Sequence, residues 1–491
     1  MKSGKRWLWA FGAFSVLYLV LLIPDSKSNV ELRGANTAFR WNEDPTWYKL
    51  ENKFSSLRNS CEIIQPAIAM SLNQLRTDVN RIDTDTLSHD DAALKVIRRQ
   101  IFEIAAMISA CPDSALPFIQ LTSDLRVKIK TASIHWNTED KAARESIYRI
   151  LYGSRAAAEE ILLQADRDKI PLIVKGSEVE SVAPEVVLNG VQMRSGDILV
   201  SRGGAPTSAL IARGNDYPGN FSHVGLLYVD PETSTPWMIE SHIEVGVTIS
   251  DWDTYMNDKK LRIMVLRVRP DLNVMKNDPM IPHKAAAAAW ARANKEHIAY
   301  DFAMDFKNPD KLFCSEVASS VYRQLGINLW MGISHISSPG TVQLLQGFGV
   351  EFFQTEAPSD LEYDTQLTVV GELRDPQTLY QDHVDNAVVD AILEMADAGW
   401  TNDYNVLMLP PMRVVKGYCM ILNHFGTHCM VPEGMSATSA LRHDNFVAVH
   451  SRIKTDVLKK AAVFELEKGY RPPFWRLYEM AVDVSKQELI Y

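Results

Sequence analysis

Hydrophobic periodicity changes twice along this 491-residue chain, and the change constrains its architecture more than any single motif. From Pro45 to Asp168 apolar residues recur at helical spacing, as in Trp47, Leu50, Phe54 and Leu57, and again in Ile97, Ile101, Ile104, Ala105 and Ile108. After Arg167 the pattern shortens to β-type runs at 170–174, 186–188, 195–201, 221–229, 237–243 and 261–268. The Ala-rich stretch 282–294 and the residues after Cys314 return to helical spacing, and 366–373 adds one more strand. Beyond it, 387–395, 456–466 and the aromatic end 472–491 read as helices. Strands gathered in the middle predict an α+β unit around an antiparallel sheet over 169–375. A helical domain over 45–168 precedes it, and a mainly helical C-terminal extension over 376–491 follows.

The N-terminus predicts a membrane attachment. Lys2, Lys5 and Arg6 precede a charge-free apolar run from Trp7 to Ile23, closed by Pro24. Positive residues ahead of such a run stay on the cytoplasmic side, so the remainder is expected to be exported. Large residues, Leu21-Leu22-Ile23, stand where a small-x-small cleavage site would be needed, which favours a retained signal anchor over 1–24 and a tether over 25–44. The net charge of -10 and the lack of a broad basic patch or Gly-rich phosphate loop argue against nucleic acid as a partner.

Five cysteines carry the next constraint. Cys61 and Cys111 lie in one helical region, and Cys419 and Cys429 in another. In an oxidising compartment each pair is expected to close a disulfide, although four cysteines allow three connectivities. Cys314 is then the odd thiol. Asn308-Pro309-Asp310 is a turn-and-cap signal before it; Cys314, Val317, Ala318, Val321 and Leu325 then follow helical spacing, with Gly326 as the stop. A thiol in the first turn of a helix feels the positive end of its dipole, which favours thiolate. The competing reading is a small apolar residue on a buried helix face.

A cysteine nucleophile needs an imidazole, a group that orients it and donors for an oxyanion. His223 heads a β-type run between Ser222 and Gly225, small neighbours that allow close approach. Across the hairpin Glu240, His242 and Glu244 alternate and share one face, which points toward or away from His223 according to a register that the loop sequence leaves open. Glu240 is the first choice of orienter and His242 the alternate. The spacing holds no convincing metal set; His424 and His428 stand beside Cys419 and Cys429, where a disulfide loop is preferred to zinc. Neither a metal nor a cofactor is expected.

In this order Ser195-Gly196-Asp197-Ile198, Ser222-His223-Val224-Gly225, Ile239-Glu240, Tyr300-Asp301 and Phe313-Cys314-Ser315-Glu316-Val317 resemble the YiiX/YaeF-type permuted papain-like hydrolases, relatives of NlpC-type peptidases and of lecithin:retinol acyltransferase. The resemblance spans roughly 186–330. It implies a circularly permuted papain-like antiparallel β-barrel followed by a catalytic helix, with Cys314 as nucleophile, His223 as base and Glu240 as orienter. It also implies oxyanion support from the Cys314 backbone N–H and the Tyr300 hydroxyl, with Asp197 shaping a turn. With the anchor, it leads to the expectation of a bacterial inner-membrane protein whose periplasmic domain hydrolyses an amide in peptidoglycan stem peptides or a related peptide. The alternatives are a lipid or lipoprotein acyl hydrolase or acyltransferase, and a silent envelope scaffold. Substrate choice is expected to reside in loops such as Gly203 to Gly219, read as mobile beside the cleft.

Overall fold

The computed structural model describes residues 12, 15–24, 38–39, 46–167, 170–424 and 429–488. Five helices run between residues 46 and 164: α1 (Thr46–Leu57), α2 (Cys61–Asn80), α3 (Ala92–Ala110), α4 (Ala115–Ala132) and α5 (Lys141–Gln164). Their apolar stripes meet in one core that includes Ile68, Leu75, Ile97, Ile101, Ile108, Phe118 and Ile161. The Cys61–Cys111 disulfide ties the start of α2 to the end of α3.

The middle of the chain is a seven-stranded antiparallel sheet. Its strands are β1 (Ile173–Lys175), β4 (Ile198–Gly203), β5 (His223–Val229), β6 (Pro236–His242), β7 (Gly246–Asp251), β8 (Lys260–Val268) and β11 (Leu367–Leu373). Their order is β1-β11-β8-β4-β5-β6-β7. The pairs β2 (Glu185–Leu188) with β3 (Val191–Arg194), and β9 (Ser334–His335) with β10 (Gln354–Thr355), stand apart. Where the sequence leads one to expect a closed barrel, the edge strands β1 and β7 do not pair among the described residues. Closure would serve to remove exposed edges, and β7 is covered otherwise: Val247 donates its N–H to the Ile298 carbonyl at 2.9 Å.

The central strands are apolar on both faces because both are covered. Ile198, Val200, Leu226, Met264 and Leu266 pack with helices α9 (Ile281–Lys295) and α10 (Glu316–Gln324). Their neighbours Leu199, Leu227, Ile263 and Val265 face the other way, toward Leu188, Met193 and Tyr255. Tyr255 belongs to the short helix α7 (Trp252–Asn257), with α8 (Asn273–Asn277) following β8 and α11 (Pro339–Gln346) preceding β10. The period of two along each strand is thus filled on both sides.

The segment 203–219, expected as a mobile loop, contains the helix α6 (Pro206–Arg213). Pro206 opens it, and Arg213 anchors it through two contacts to Asp390, at 2.8 and 2.7 Å. Asp390 lies on α12 (Pro376–Asp397), which with α14 (Ala437–Lys468) and α15 (Phe474–Glu488) forms a further apolar core. Helix α13 (Leu409–His424) joins them, and the Cys419–Cys429 disulfide holds the chain that leaves it.

A buried charged cluster welds the three regions together. Glu159 of α5 receives Arg262 of β8 at 2.6 Å, Arg155 at 3.2 Å and His383 of α12 at 3.1 Å. Arg155 also makes a two-pronged contact with Glu362, both arms 2.6 Å, and Arg262 reaches Asp382 at 2.5 Å. Burial disfavours charge on Glu159, yet Arg262 and Arg155 hold its carboxyl well below the usual range.

Among the described residues no helix is long and apolar enough to cross a membrane. Residues 1–11 and 13–14 of the expected anchor, most of the tether and His428 lie outside the described residues.

Candidate active site

Helix α10 forms for reasons legible in its ends. Ser315 is its N-cap position, and its carbonyl accepts from the Ser319 N–H at 3.1 Å. At the other end Gly326, at φ +83°, turns the chain: its N–H bonds the Arg323 carbonyl at 3.2 Å, and the Ile327 N–H bonds Tyr322 at 3.0 Å. Cys314 therefore sits in the turn just ahead of the helix rather than in its first turn. Two contacts fix that turn. The Phe313 N–H donates to Glu316 Oε2 at 2.9 Å, and the Ser241 hydroxyl of β6 donates to the Leu312 carbonyl at 2.6 Å.

The β5–β6 ladder runs from Val229 opposite Pro236 to Gly225 opposite Glu240 and ends there. Just past that point the Cys314 thiol takes up the backbone positions of β5. Its Sγ lies 3.9 Å from the Ser222 carbonyl, and the Val224 N–H also bonds it. The sulfur is thus seated against the chain on both sides of His223.

The same register settles the parity that the sequence left open. Gly225 and His223 share a face of β5, and Gly225 stands directly opposite Glu240, so the carboxylate falls on the histidine's side. His223 Nε2 is 2.8 Å from Glu240 Oε1. A Cβ on residue 225 would lie 2.7 Å from the Met238 methyl and 3.4 Å from Glu240 Cγ, so glycine makes the room this pair needs. His242 Nε2 lies 3.5 Å from the other carboxylate oxygen, Oε2, and the Ser250 hydroxyl of β7 donates to that oxygen at 3.3 Å. Glu244, expected on the same strand face, instead lies in the turn after β6 ends at His242.

Glu240 is 1% exposed. Burial alone would raise its pKa, but hydrogen bonds from His223 and His242 outweigh it and hold the carboxyl well below its usual range. Burial lowers the pKa of His223 despite the Glu240 hydrogen bond, so the imidazole is neutral at pH 7. In His242 burial loses to the Glu240 hydrogen bond, and the pKa rises. Burial pushes the Cys314 thiol up to about 11, against backbone N–H groups of Val224 and Ser315 that favour thiolate. At neutral pH the thiol and the imidazole are therefore both uncharged.

Tyr300 is held protonated, first by burial and next by the nearness of Cys314. Its hydroxyl therefore keeps its proton. Glu316 is pushed up to about 9 by burial in spite of the Phe313 N–H, so it adds no negative charge next to the thiol at neutral pH. Asp197 is structural: Arg267 grips both its oxygens at 2.8 Å, and it accepts the Arg194 N–H at 2.7 Å.

A thiol, an imidazole and a carboxylate are the groups that nucleophilic acyl transfer uses. His223, Glu240 and His242 also bring one donor atom each within 4.8 Å of one another, a set that a divalent ion could use. Their mutual hydrogen bonds already account for that proximity. Sequence reasoning singled out Cys314, His223, Glu240, His242 and Tyr300, but not Ser250. The strand β7 that carries Ser250 was absent from the pattern because Gly246-Val247-Thr248 follows its turn at once.

Residues 192–370, under half of the chain, match the family described as permuted papain-like amidase enzyme, YaeF/YiiX, C92 family. The matched stretch contains His223, Glu240, Tyr300 and Cys314, and amide-bond hydrolysis is the chemistry it supports. Comparison with curated proteins finds no match.

Proposed function

We propose that the protein is a cysteine amide hydrolase in which Cys314 is the nucleophile, His223 the general base and Glu240 the group that orients His223. One observation carries the reading: the Cys314 sulfur is seated against Ser222 and Val224, on either side of His223, while Glu240 takes that histidine's Nε2. Nδ1 is left to receive the thiol proton. As substrate binds, the sulfur attacks the amide carbonyl carbon and its proton passes to His223, whose imidazolium Glu240 stabilises. The Cys314 backbone N–H at the helix start and the Tyr300 hydroxyl are the donors for the developing oxyanion. Collapse breaks the C–N bond, and His223 protonates the departing amine. Water activated by His223 then cleaves the thioester, releasing the acid and restoring the thiol.

The charged N-terminus and apolar run support a retained anchor that exposes this site to the cell envelope. Wall stem peptides and acylated envelope molecules are the two amide classes such an enzyme would meet. The test is mass spectrometry of an envelope extract treated with wild type, Cys314→Ser or His223→Ala protein. New amine and acid products from the wild type alone are expected. Equal product from Cys314→Ser would overturn the reading.

A further inference from the structure

A helix with apolar residues on every side is ordinarily covered on every side, and α13 is not. On its inner face Met412, Val415 and Cys419 share a cluster with Ile243 and Phe302 of the sheet domain. On its outer face Val414, Tyr418 and Ile421, three or four residues apart, form a second stripe that is 65%, 60% and 58% exposed. Met420 is bare beside them. The basic groups of the helix are drawn to backbone carbonyls: Arg413 to Leu21 at 3.0 Å, and Lys416 to Pro432 at 2.7 Å and Glu433 at 2.6 Å. Single exposed apolar residues are normal in a folded protein, but a patch of them marks a surface that is used.

The apolar surface goes on at both ends of the helix. Before it the turn Val406–Met408 exposes Leu407, and after it Met430 stands bare next to the disulfide cysteine Cys429. The apolar N-terminal run is tied to the same region. Its residues 15–21 are helical, and the Tyr18 hydroxyl donates to the Leu407 carbonyl at 2.7 Å. Tyr18, Leu21 and Leu22 are half-buried, whereas Val16, Leu17, Leu19, Val20 and Ile23 are bare. What covers α13 must therefore also accommodate this run, whose uninterrupted apolar residues reach from Trp7 to Ile23. A run of that length matches the hydrocarbon of a bilayer. Helix α13 has 16 residues, so it is about 24 Å long at 1.5 Å per residue, short of a hydrocarbon core of roughly 30 Å. It fits in the plane of the membrane interface and not across it.

We propose that α13 is an in-plane membrane helix, whose outer stripe of Val414, Tyr418 and Ile421 enters a phospholipid bilayer as a second attachment separate from the N-terminal run. One anchor leaves a tethered domain free to tumble. A second contact, made by the C-terminal extension, fixes which side of the protein faces the lipid. Ile243 and Phe302, packed behind α13, follow His242 and Asp301 in sequence, so docking also holds that part of the sheet domain next to the membrane. The proposal goes beyond the hydrolase reading and does not depend on it.

The experiment uses the full chain with Cys314→Ser, so that one introduced cysteine carries a nitrobenzoxadiazole label. The protein is placed in vesicles of phosphatidylcholine and phosphatidylglycerol, with and without a phospholipid spin-labelled high on its acyl chain. Labels go on Val414→Cys, on Tyr418→Cys and, as a control, on Leu466→Cys, a bare position of α14. An in-plane helix lies about 5–10 Å into the boundary of headgroups and acyl chains, so the spin label is expected to remove about half of the emission at Val414 and Tyr418 and none at Leu466. Val414→Asp together with Ile421→Asp is expected to restore the emission at Tyr418, while the chain still floats with the vesicles through its N-terminal run. Floating protein with no quenching at Val414 and Tyr418, or with equal quenching at Leu466, would overturn the proposal, as would quenching that the two aspartates leave unchanged. An emission change that ignores the spin label and fades as the protein is diluted in lipid would assign the face to a second copy of the chain and overturn it too. Hydrolysis is read at no step, so failure of the catalytic reading leaves these results standing.

Discussion

Replacing Glu240 with Gln tests the site at the group on which two histidines converge. The side chain keeps its shape, but the negative charge facing His223 at 2.8 Å and His242 at 3.5 Å disappears. A hydrogen bond to a charged acceptor is worth about 1.5–3 kcal/mol and a neutral one about 1. The imidazolium that forms when His223 takes the thiol proton loses that difference, and it also loses the direct charge attraction in a site where Glu240 is 1% exposed. Together these come to about 2–3 kcal/mol, which converts to a fall of roughly 30- to 150-fold in kcat/KM. The pH profile should move with it. Burial already sets His223 below the ordinary value of an imidazole, and Glu240 is what pulls it back up. Glu240→Gln therefore weakens the base further and carries the acid limb of kcat/KM to lower pH. The assay is hydrolysis of a fluorogenic amide measured between pH 4 and 9, with the His223 ring titrated by NMR. A variant within about threefold of wild type, with an unmoved acid limb, would refute the orienting role.

Four other outcomes follow from the same geometry. With its thiol held at about 11, Cys314 should be alkylated about tenfold faster for each pH unit between 7 and 10, and a plateau below pH 7 would reveal a resting thiolate pair instead. Glu316→Gln should keep kcat/KM at pH 7 within about threefold, because Glu316 is already protonated and Gln can still accept the Phe313 N–H; a tenfold loss would mean that its charge is used. Glu159→Gln should lower the free energy of unfolding in urea by about 3–5 kcal/mol, since Arg155, Arg262 and His383 lose a shared buried partner; a change under 1 kcal/mol would show the cluster to be dispensable. Chelation with EDTA should leave activity intact, and a loss restored by zinc would reassign His223, Glu240 and His242 as metal ligands.

Much was readable from the chain because it depends on neighbours in sequence. The two halves of helical patterning around a strand-rich middle follow from local periodicity, and the Cys419–Cys429 pair joins positions 10 apart, whereas Cys61 and Cys111, 50 apart, are brought together by the packing of α2 against α3. The turn, helix and Gly326 stop around Cys314 are likewise local, since each depends on backbone groups within a few residues. The loop over 203–219 was misread because its glycines hide a helix whose stability comes from Asp390, far away in sequence. The closed barrel was over-read, because an edge strand looks the same in sequence whether another strand or a backbone segment such as 298–299 covers it.

Sequence by itself determined which side chains were available for chemistry: one odd thiol, a histidine opening a strand, and alternating acid and imidazole across the hairpin. Tertiary structure alone decided that Gly225 faces Glu240 and that the carboxylate falls on the side of His223. The reason is physical. A strand's side-chain period is two, so a one-residue change of register would turn Glu240 to the opposite face without altering a residue, and what fixes register is the packing of the whole sheet.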